Sequence, residues 1–404
     1  MRGDEMTLND VAGQPGLDAV ARHGLKMLER LRKTASAPNS QKSLKITFSI
    51  SEAAKLLGCS LNRIRAAEDD GRLPKPAADS NQRRLGYSMA ELLNMRQVLS
   101  ASPARPPSDA AAIVALQNFK GGVGKSTLTV HFAHRLAIKG YRVLVVDCDS
   151  QATTTTLFGF NPHLQIRQGN TLYPFLALEP TESDLNYAVL QTPWPNIDLI
   201  PSCLELFDIE YELAAVTSSG ENILASRFHM LREGLQTLSR NYDVILLDPP
   251  PALGTVSLTV MQAATSLLIP LTPSMPDFAS TVQFLNKLID IVGQMEAGGI
   301  HVRYDFVRMV CSRHNTNDPS QAGILSLMDQ TFGSYMLPLK ILESSEVGNA
   351  ALRMMSIYEL EEPIGTPRTY KRCRENMDVV LDQVEDLIRS KWAHTVAEGV
   401  SNVA

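Results

Sequence analysis

Phe119-Lys120-Gly121-Gly122-Val123-Gly124-Lys125-Ser126-Thr127 is the stretch that decides the fold of this 404-residue chain. An apolar run, Ala111 to Leu116, leads into it, and Leu128, Phe132 and Leu136 follow at helical spacing. Strand, glycine loop and helix, in that order, are what a phosphate-binding loop requires. Gly121, Gly122 and Gly124 let the backbone curl until successive N–H groups point inward at phosphate oxygens, and the helix N-terminus adds partial positive charge. Lys125 is placed to reach β- and γ-phosphates, and the Ser126 hydroxyl to ligate Mg2+. Phe119 stands where the generic Gly-x4-Gly-Lys-Ser/Thr loop has its first glycine, and a second lysine, Lys120, opens the loop instead. The chain is expected to bind a nucleoside triphosphate through Lys120, Gly121, Gly122, Val123, Gly124, Lys125, Ser126 and Thr127.

Two further apolar runs end in carboxylates. Tyr141-Arg142-Val143-Leu144-Val145-Val146 runs into Asp147-Cys148-Asp149-Ser150-Gln151, and Tyr242-Asp243-Val244-Ile245-Leu246-Leu247 into Asp248-Pro249-Pro250-Pro251. Each has strand length, so Asp147, Asp149 and Asp248 fall at the carboxyl ends of parallel strands, where open α/β sheets place ligands. Aspartate also closes strands as an ordinary turn residue; three with these flanks point to a site.

The Lys-Gly-Gly-Val-Gly-Lys-Ser-Thr form resembles the deviant phosphate-binding loop of the ParA/MinD superfamily. The two carboxylate ends are similar to that family's Asp-x-Asp-Pro-Gln and Asp-x-Pro-Pro strand ends. The resemblance implies a doubly wound, mostly parallel α/β sheet and hydrolysis of ATP with Mg2+ by in-line attack of water on the γ-phosphate. It implies that Lys120 reaches across a sandwich dimer to the partner's nucleotide and that Asp149 orients the attacking water, so Lys120, Lys125 and Asp149 are the expected catalytic residues. Asp147 and Asp248 would hold Mg2+ through its water shell, beside Ser126. Ser150 replaces the usual proline, and Ala152-Thr153 stand where glycine-asparagine is frequent. Ser312-Arg313-His314-Asn315-Thr316-Asn317 resembles an Arg-Thr-Asn turn that carries non-specific DNA binding in relatives, which makes Arg313, and after it Lys340, the expected residues. Ile364-Gly365-Thr366-Pro367-Arg368 lies where relatives contact adenine, with Pro367 the expected contact.

The front of the chain differs in charge from the rest. Residues 1–105 carry 17 Lys/Arg against 11 Asp/Glu, while the remainder carries 21 against 32. A basic front on an acidic enzyme suggests nucleic acid. Ser49-Ile50-Ser51-Glu52 is a capping box for a short helix to Leu57. Gly58-Cys59 turns, and Ser60 caps a second helix, Leu61 to Asp70, that displays Asn62, Arg63 and Arg65. Asn81 to Tyr87, with Arg83 and Arg84, reads as a basic wing, and a second capping box, Ser88 to Glu91, starts a helix to about Leu99. The whole resembles the MerR-like winged helix-turn-helix domain at the front of larger plasmid-type ParA proteins and of the RepA proteins of replication–partition cassettes. An inert helical pair is the rival reading.

Four regions follow. Residues 1–44 hold a helix with Leu17, Val20, Leu28 and Leu31 at helical spacing, expected to dimerise, and a polar linker. Residues 45–100 form the winged domain, the proline-rich residues 101–110 link it, and residues 111–404 form the ATPase domain. Within the last, strands are expected at 197–200, 266–271, 306–311 and 335–339. An amphipathic helix over 376–392 has an acidic polar face (Asp382, Glu385, Asp386), so packing on the sheet is expected rather than membrane targeting, which needs a basic face. No apolar run approaches the ~18 residues of a membrane span, and the first residues have no secretory h-region. Five scattered cysteines without a Cys-x-x-Cys pair read as free thiols in a reducing compartment.

These readings predict a cytoplasmic, nucleoid-associated DNA-segregation ATPase. It would form an ATP-dependent homodimer, bind operator and random DNA, and be stimulated by a ParB-like centromere-binding protein. The alternative is a transcriptional repressor for which ATP is only a ligand.

Overall fold

The structure is a computed structural model, and it describes residues 14–35, 42–78, 80–81, 84–101, 105–106, 109–217, 223–299 and 301–401. They fall into two units, one ending at Ser43 and the other beginning at Leu44. The first holds helix α1 (Gln14–Ala35), on which Leu17 and Val20 are exposed. The side chains of Leu28 and Leu31 lie outside the described residues.

The second unit opens with the winged module. β1 (Thr47–Phe48) is followed by α2 (Ile50–Leu57), α3 (Leu61–Asp69), β2 (Tyr87–Ser88) and α4 (Met89–Val98). Both expected capping boxes form, Ser49 with Glu52 and Ser88 with Glu91, and Ser60 caps α3. β1 and β2 pair antiparallel.

The remaining elements, in chain order, are β3 (Ala112–Leu116), α5 (Lys125–Lys139), β4 (Val143–Asp147), α6 (Thr153–Leu157), α7 (Tyr173–Leu176), β5 (Leu190–Gln191), β6 (Ile197–Ile200), α8 (Asp208–Thr217), α9 (Ile223–Leu238), β7 (Val244–Asp248), α10 (Thr255–Ala263), β8 (Ser266–Leu271), α11 (Met275–Ala297), β9 (Phe306–Cys311), α12 (Pro319–Phe332), α13 (Ser345–Leu352) and α14 (Pro367–Ser401). The sheet order is β5-β6-β4-β7-β3-β8-β9, parallel except for β5. β3 and β7 are neighbours, yet β3 connects onward to β4 and β7 to β8, in opposite directions. The chain is therefore doubly wound, and a crevice opens at the carboxyl ends where the connections part. The expected strands at 197–200, 266–271 and 306–311 form as read. The expected strand 335–339 does not. Met336 makes only an isolated bridge to Met309, because Pro338 has no N–H to give a ladder.

Alternate residues of each central strand enter opposite cores. Val114, Val145 and Leu246 face α5 and α14, while Ala115, Val146 and Leu247 face α9 and α10. The first core does not stop at the ATPase layers. It continues without a break into the winged module through Leu57, Ile64, Leu92, Met95 and Leu99.

The apolar face of helix α14 (Val380, Val384, Ile388) is buried in the core that also takes Val114, Val145 and Leu246, and two residues of its acidic face, Asp382 and Glu385, pair with α5. Asp382 receives Arg135 through two hydrogen bonds of 2.8 and 2.7 Å, Lys139 lies 2.9 Å from Asp382, and Lys139 also pairs with Glu385. Burial pushes the Asp382 carboxyl up, but Arg135 and Lys139 outweigh it and hold the group below the ordinary carboxylate range. Such a group adds stability above its unfolded pKa of about 4 and loses it as pH falls through the folded value. Arg135→Ala leaves Asp382 with Lys139 alone and Asp378 with the Tyr358 hydroxyl, and is expected to lower stability by about 2 kcal/mol at pH 7. Denaturant titrations should show that deficit shrinking towards pH 3.

Candidate active site

The phosphate loop is shaped by its own glycines. Gly122 and Gly124 have φ of +80° and +94°, left-handed values that a side chain disfavours, and a Cβ on either would meet nothing within 4 Å. The backbone therefore lines an open cradle at the N-terminus of α5. The turn after β9 braces it, with the Ser312 hydroxyl donating to the Val123 carbonyl at 2.8 Å.

The two lysines of the loop point to different partners. Lys125 is buried and its ammonium donates to the Lys120 carbonyl at 3.4 Å. Burial holds Lys125 below its ordinary pKa, with Asp248 and Asp149 pulling it back up. Lys120 pairs instead with Asp277, a buried carboxylate in the first turn of α11. The Asn118 side chain accepts from the Lys120 backbone N–H at 3.1 Å and donates to Pro270 and Thr281, which fixes the entry to the loop.

Opposite Lys125, Asp147 and Asp248 end adjacent strands in register. Both are fully buried, and Asp149 is nearly so. Asp147 is bonded at both oxygens. It accepts from the Thr155 N–H at 2.8 Å and hydroxyl at 2.7 Å, and from the Asp149 N–H at 3.2 Å. Asp248 accepts from the Thr154 hydroxyl at 2.7 Å, while its other oxygen, Oδ1, is buried without a partner. An orphaned carboxylate oxygen beside Ser126 and the open cradle fits a divalent cation, whose hard charge suits oxygen donors. Of the two expected metal residues, Asp248 has an oxygen with no hydrogen-bond partner, while both oxygens of Asp147 already accept at least one bond.

Residues 111–297 match a family model described as an AAA domain. Over 364 residues the chain is 33% identical to protein SopA of Escherichia coli (strain K12), covering 88% of this chain and 92% of SopA. A replication protein A of Sinorhizobium fredii is 31% identical over 381 residues, covering 92% of this chain and 93% of that one. The chain belongs to the ParA/MinD superfamily of partition ATPases. A solved partition protein shares the fold with a TM-score of 0.59 at 18% identity, covering 92% of this chain and 98% of that one.

Other expected residues of this ParA-type chain lie away from the cradle or are already engaged. Arg313 has a left-handed φ of +53°. Its guanidinium lies 3.8 Å from Glu343 and 3.5 Å from the Gly122 carbonyl, so it borders the phosphate loop. Lys340 lies 3.5 Å from Asp329 and donates to the Pro338 carbonyl. Pro367 opens α14 at an exposed position, and among the described residues no hydrogen bond joins 364–368 to the loop. On α3, Asn62, Arg63 and Arg65 are all exposed, and the Arg63 guanidinium also donates to the Leu99 carbonyl at 3.0 Å. Arg84 pairs with the buried Glu68 and lies 2.9 Å from the Tyr87 hydroxyl, so it braces the wing. Arg83 lies outside the described residues.

Sequence reasoning passed over Thr154, Thr155, Asn118 and Asp277. The run Thr153-Thr154-Thr155-Thr156 after Asp149 was the available signal, since hydroxyls there are one turn from the strand-end carboxylates. Ala152 stands at φ +53°, where the family's frequent glycine costs nothing. Ala152→Gly relieves the left-handed backbone but loses a buried methyl and gains unfolded-chain entropy, so denaturant titration should show a change within about 0.5 kcal/mol.

Burial pushes the Asp248 carboxyl up to about 6, against the Thr154 bond, the neighbouring Ser126 hydroxyl and the Lys125 charge. A raised acid favours folding below its unfolded pKa and penalises it as pH rises through the folded one. Asp248→Asn should therefore stabilise the metal-free protein by about 2 kcal/mol at pH 8 and by little at pH 4. Melting curves at the two pH values check this.

Proposed function

We propose that this chain is a plasmid or chromosome partition ATPase that turns ATP and Mg2+ into a cycle of dimerisation, DNA binding and release. The observation that carries the reading is the convergence of the glycine cradle, Lys125, Asp149 and the unpaired Asp248 oxygen at the carboxyl ends of the central strands, with a winged module in the same polypeptide. Ser126 and Asp248, with Asp147 behind them, would hold Mg2+, which neutralises charge on the β- and γ-phosphate oxygens. The loop N–H groups and Lys125 grip the phosphates. Asp149 orients the attacking water and accepts its proton. Lys120 leaves Asp277 and crosses to the nucleotide of the second subunit.

Residues 1–44 serve self-association and residues 45–100 an operator, through Asn62, Arg65 and the wing, with Arg63 and Arg84 holding those elements in place. Residues 101–110 link them to the ATPase body, 111–404. Arg313 and Lys340 serve sequence-independent DNA binding. Their ion pairs are exposed or long, worth at most about 1 kcal/mol each, so a phosphate can displace the carboxylate. A ParB-like centromere-binding protein would stimulate hydrolysis, and the working site would be the cytoplasmic nucleoid.

Lys125→Ala should lower hydrolysis on the order of 100-fold. Asp149→Ala should bind ATP and remain dimeric without releasing phosphate, and Lys120→Ala should bind ATP as a monomer. Light scattering and phosphate release, run together, separate the three roles, and normal turnover by Lys125→Ala removes the assignment of the loop. In filter binding to random duplex, Arg313→Ala should weaken the ATP-dependent complex and flatten its salt dependence, by roughly 0.9 in slope for each DNA phosphate no longer neutralised. If Arg313→Ala and Lys340→Ala leave random-DNA binding untouched, the winged module is the DNA surface and the repressor reading gains.

A further inference from the structure

Arg96 is a buried charge that the nucleotide site does not use. It lies on α4 with 4% of its surface exposed, and burial lowers its guanidinium pKa to about 10. Among the described residues it meets no carboxylate directly. Nη2 donates to the Ile138 carbonyl at 2.9 Å, Nη1 donates to the Ala101 carbonyl at 3.1 Å, and Nε has no partner. Glu385, whose charge reaches it, is already bonded to Lys139 and Tyr141. Taking a cation out of water for two neutral carbonyls costs several kcal/mol, and an aliphatic side chain would fill the space without that cost. Packing alone does not account for an arginine here.

What Arg96 joins is informative. Ile138 is the penultimate residue of α5, and Lys125, in the phosphate loop, is the first. The helix is a rod of about 20 Å with the cradle at one end and Arg96 at the other. At the same C-terminal end of α4, one turn beyond Arg96, the Leu99 carbonyl is held by Arg63 of α3, and α3 in turn holds the wing through Glu68 and Arg84. Asn196 also fastens the end of α5, through the Ala137 carbonyl at 2.9 Å. One unbroken apolar core surrounds these contacts, so a displacement of α5 cannot be absorbed by a slack linker.

We infer that Arg96 is a positioning residue that carries the occupancy of the phosphate loop to α3, so that operator affinity depends on bound nucleotide. The operator part rests on the function proposed above; the mechanical part does not. Phosphate entering the cradle shifts α5 along its length, Ile138 draws Arg96 with it, and α4 re-aims α3 through Leu99 and Arg63.

The test uses the full chain as wild type, Arg96→Met and Arg96→Lys, with and without Mg2+ and a non-hydrolysable ATP analogue. Two readouts are taken: affinity for a duplex from upstream of its own coding region, and amide hydrogen exchange of residues 61–69. In wild type, analogue should change duplex affinity at least about fivefold, the low end of ordinary allosteric coupling, and change exchange in α3. Arg96→Met should bind analogue as wild type does, with both changes below about twofold. Arg96→Lys keeps the charge but reaches one carbonyl, and should give an intermediate response. Should Arg96→Met fail to fold, Arg96→Lys decides, and a full response from it overturns the inference. A full response from folded Arg96→Met, or no exchange change in wild type, overturns it equally. If wild type ignores the duplex yet α3 exchange responds to analogue and Arg96→Met abolishes that response, the operator reading fails and the coupling stands.

Discussion

Everything at this site depends on the register that sets Asp147 beside Asp248 at the dry ends of two parallel strands. Two buried carboxylates at that spacing repel each other, and neither can turn to water. The chain offsets this with neutral donors and one cation, Thr154 and Thr155 from α6 and Lys125 from the loop. The balance is unequal, since Asp147 is bonded at both oxygens and Asp248 is left one oxygen short. That shortfall is what makes the strand ends a receptor rather than merely a stable core. A divalent ion satisfies in one step both the repulsion and the orphaned oxygen.

The architecture was legible because the strands are nearly pure apolar runs with a carboxylate or a glycine loop at the carboxyl end. Val143–Asp147 and Val244–Asp248 carry their own boundaries. The run near 335–339 had the right apolarity, but Pro338 removes a donor and the segment only lies alongside β9. Charged residues were harder to place, because their role depends on partners distant in sequence. Arg63 and Arg84 are exposed, and each also has a partner that no local pattern shows, the Leu99 carbonyl for one and Glu68 for the other. Lys120 was recognised by its position in the loop, and its counter-ion, Asp277, lies 157 residues on, beyond any local pattern.

The region 101–110 shows the same limit. Its prolines mark it as a connector, and it contains no helix among its described residues. Composition does not say whether a connector is slack. Here Arg105 reaches Asp243, which also binds Arg142 at 2.8 Å, and the apolar core passes beside the connector from one module to the other. Such a join favours a winged module and an ATPase layer that respond as one body. Proteolysis or truncation between them would expose apolar surface on α5.

The two margins of the sheet have a consequence for how such molecules meet. At one side β5 is a two-residue antiparallel strand. At the other, the Leu337 N–H takes the Met309 carbonyl and the Ile341 N–H takes that of Cys311, so the rim of β9 is already occupied by its own chain. Among the described residues, neither border offers a long run of free amides on which a neighbouring copy could lay another strand. The sheet is thereby steered away from open-ended growth, the route to insoluble fibres. Association is left to helices and loops, where a bound ligand can reverse it.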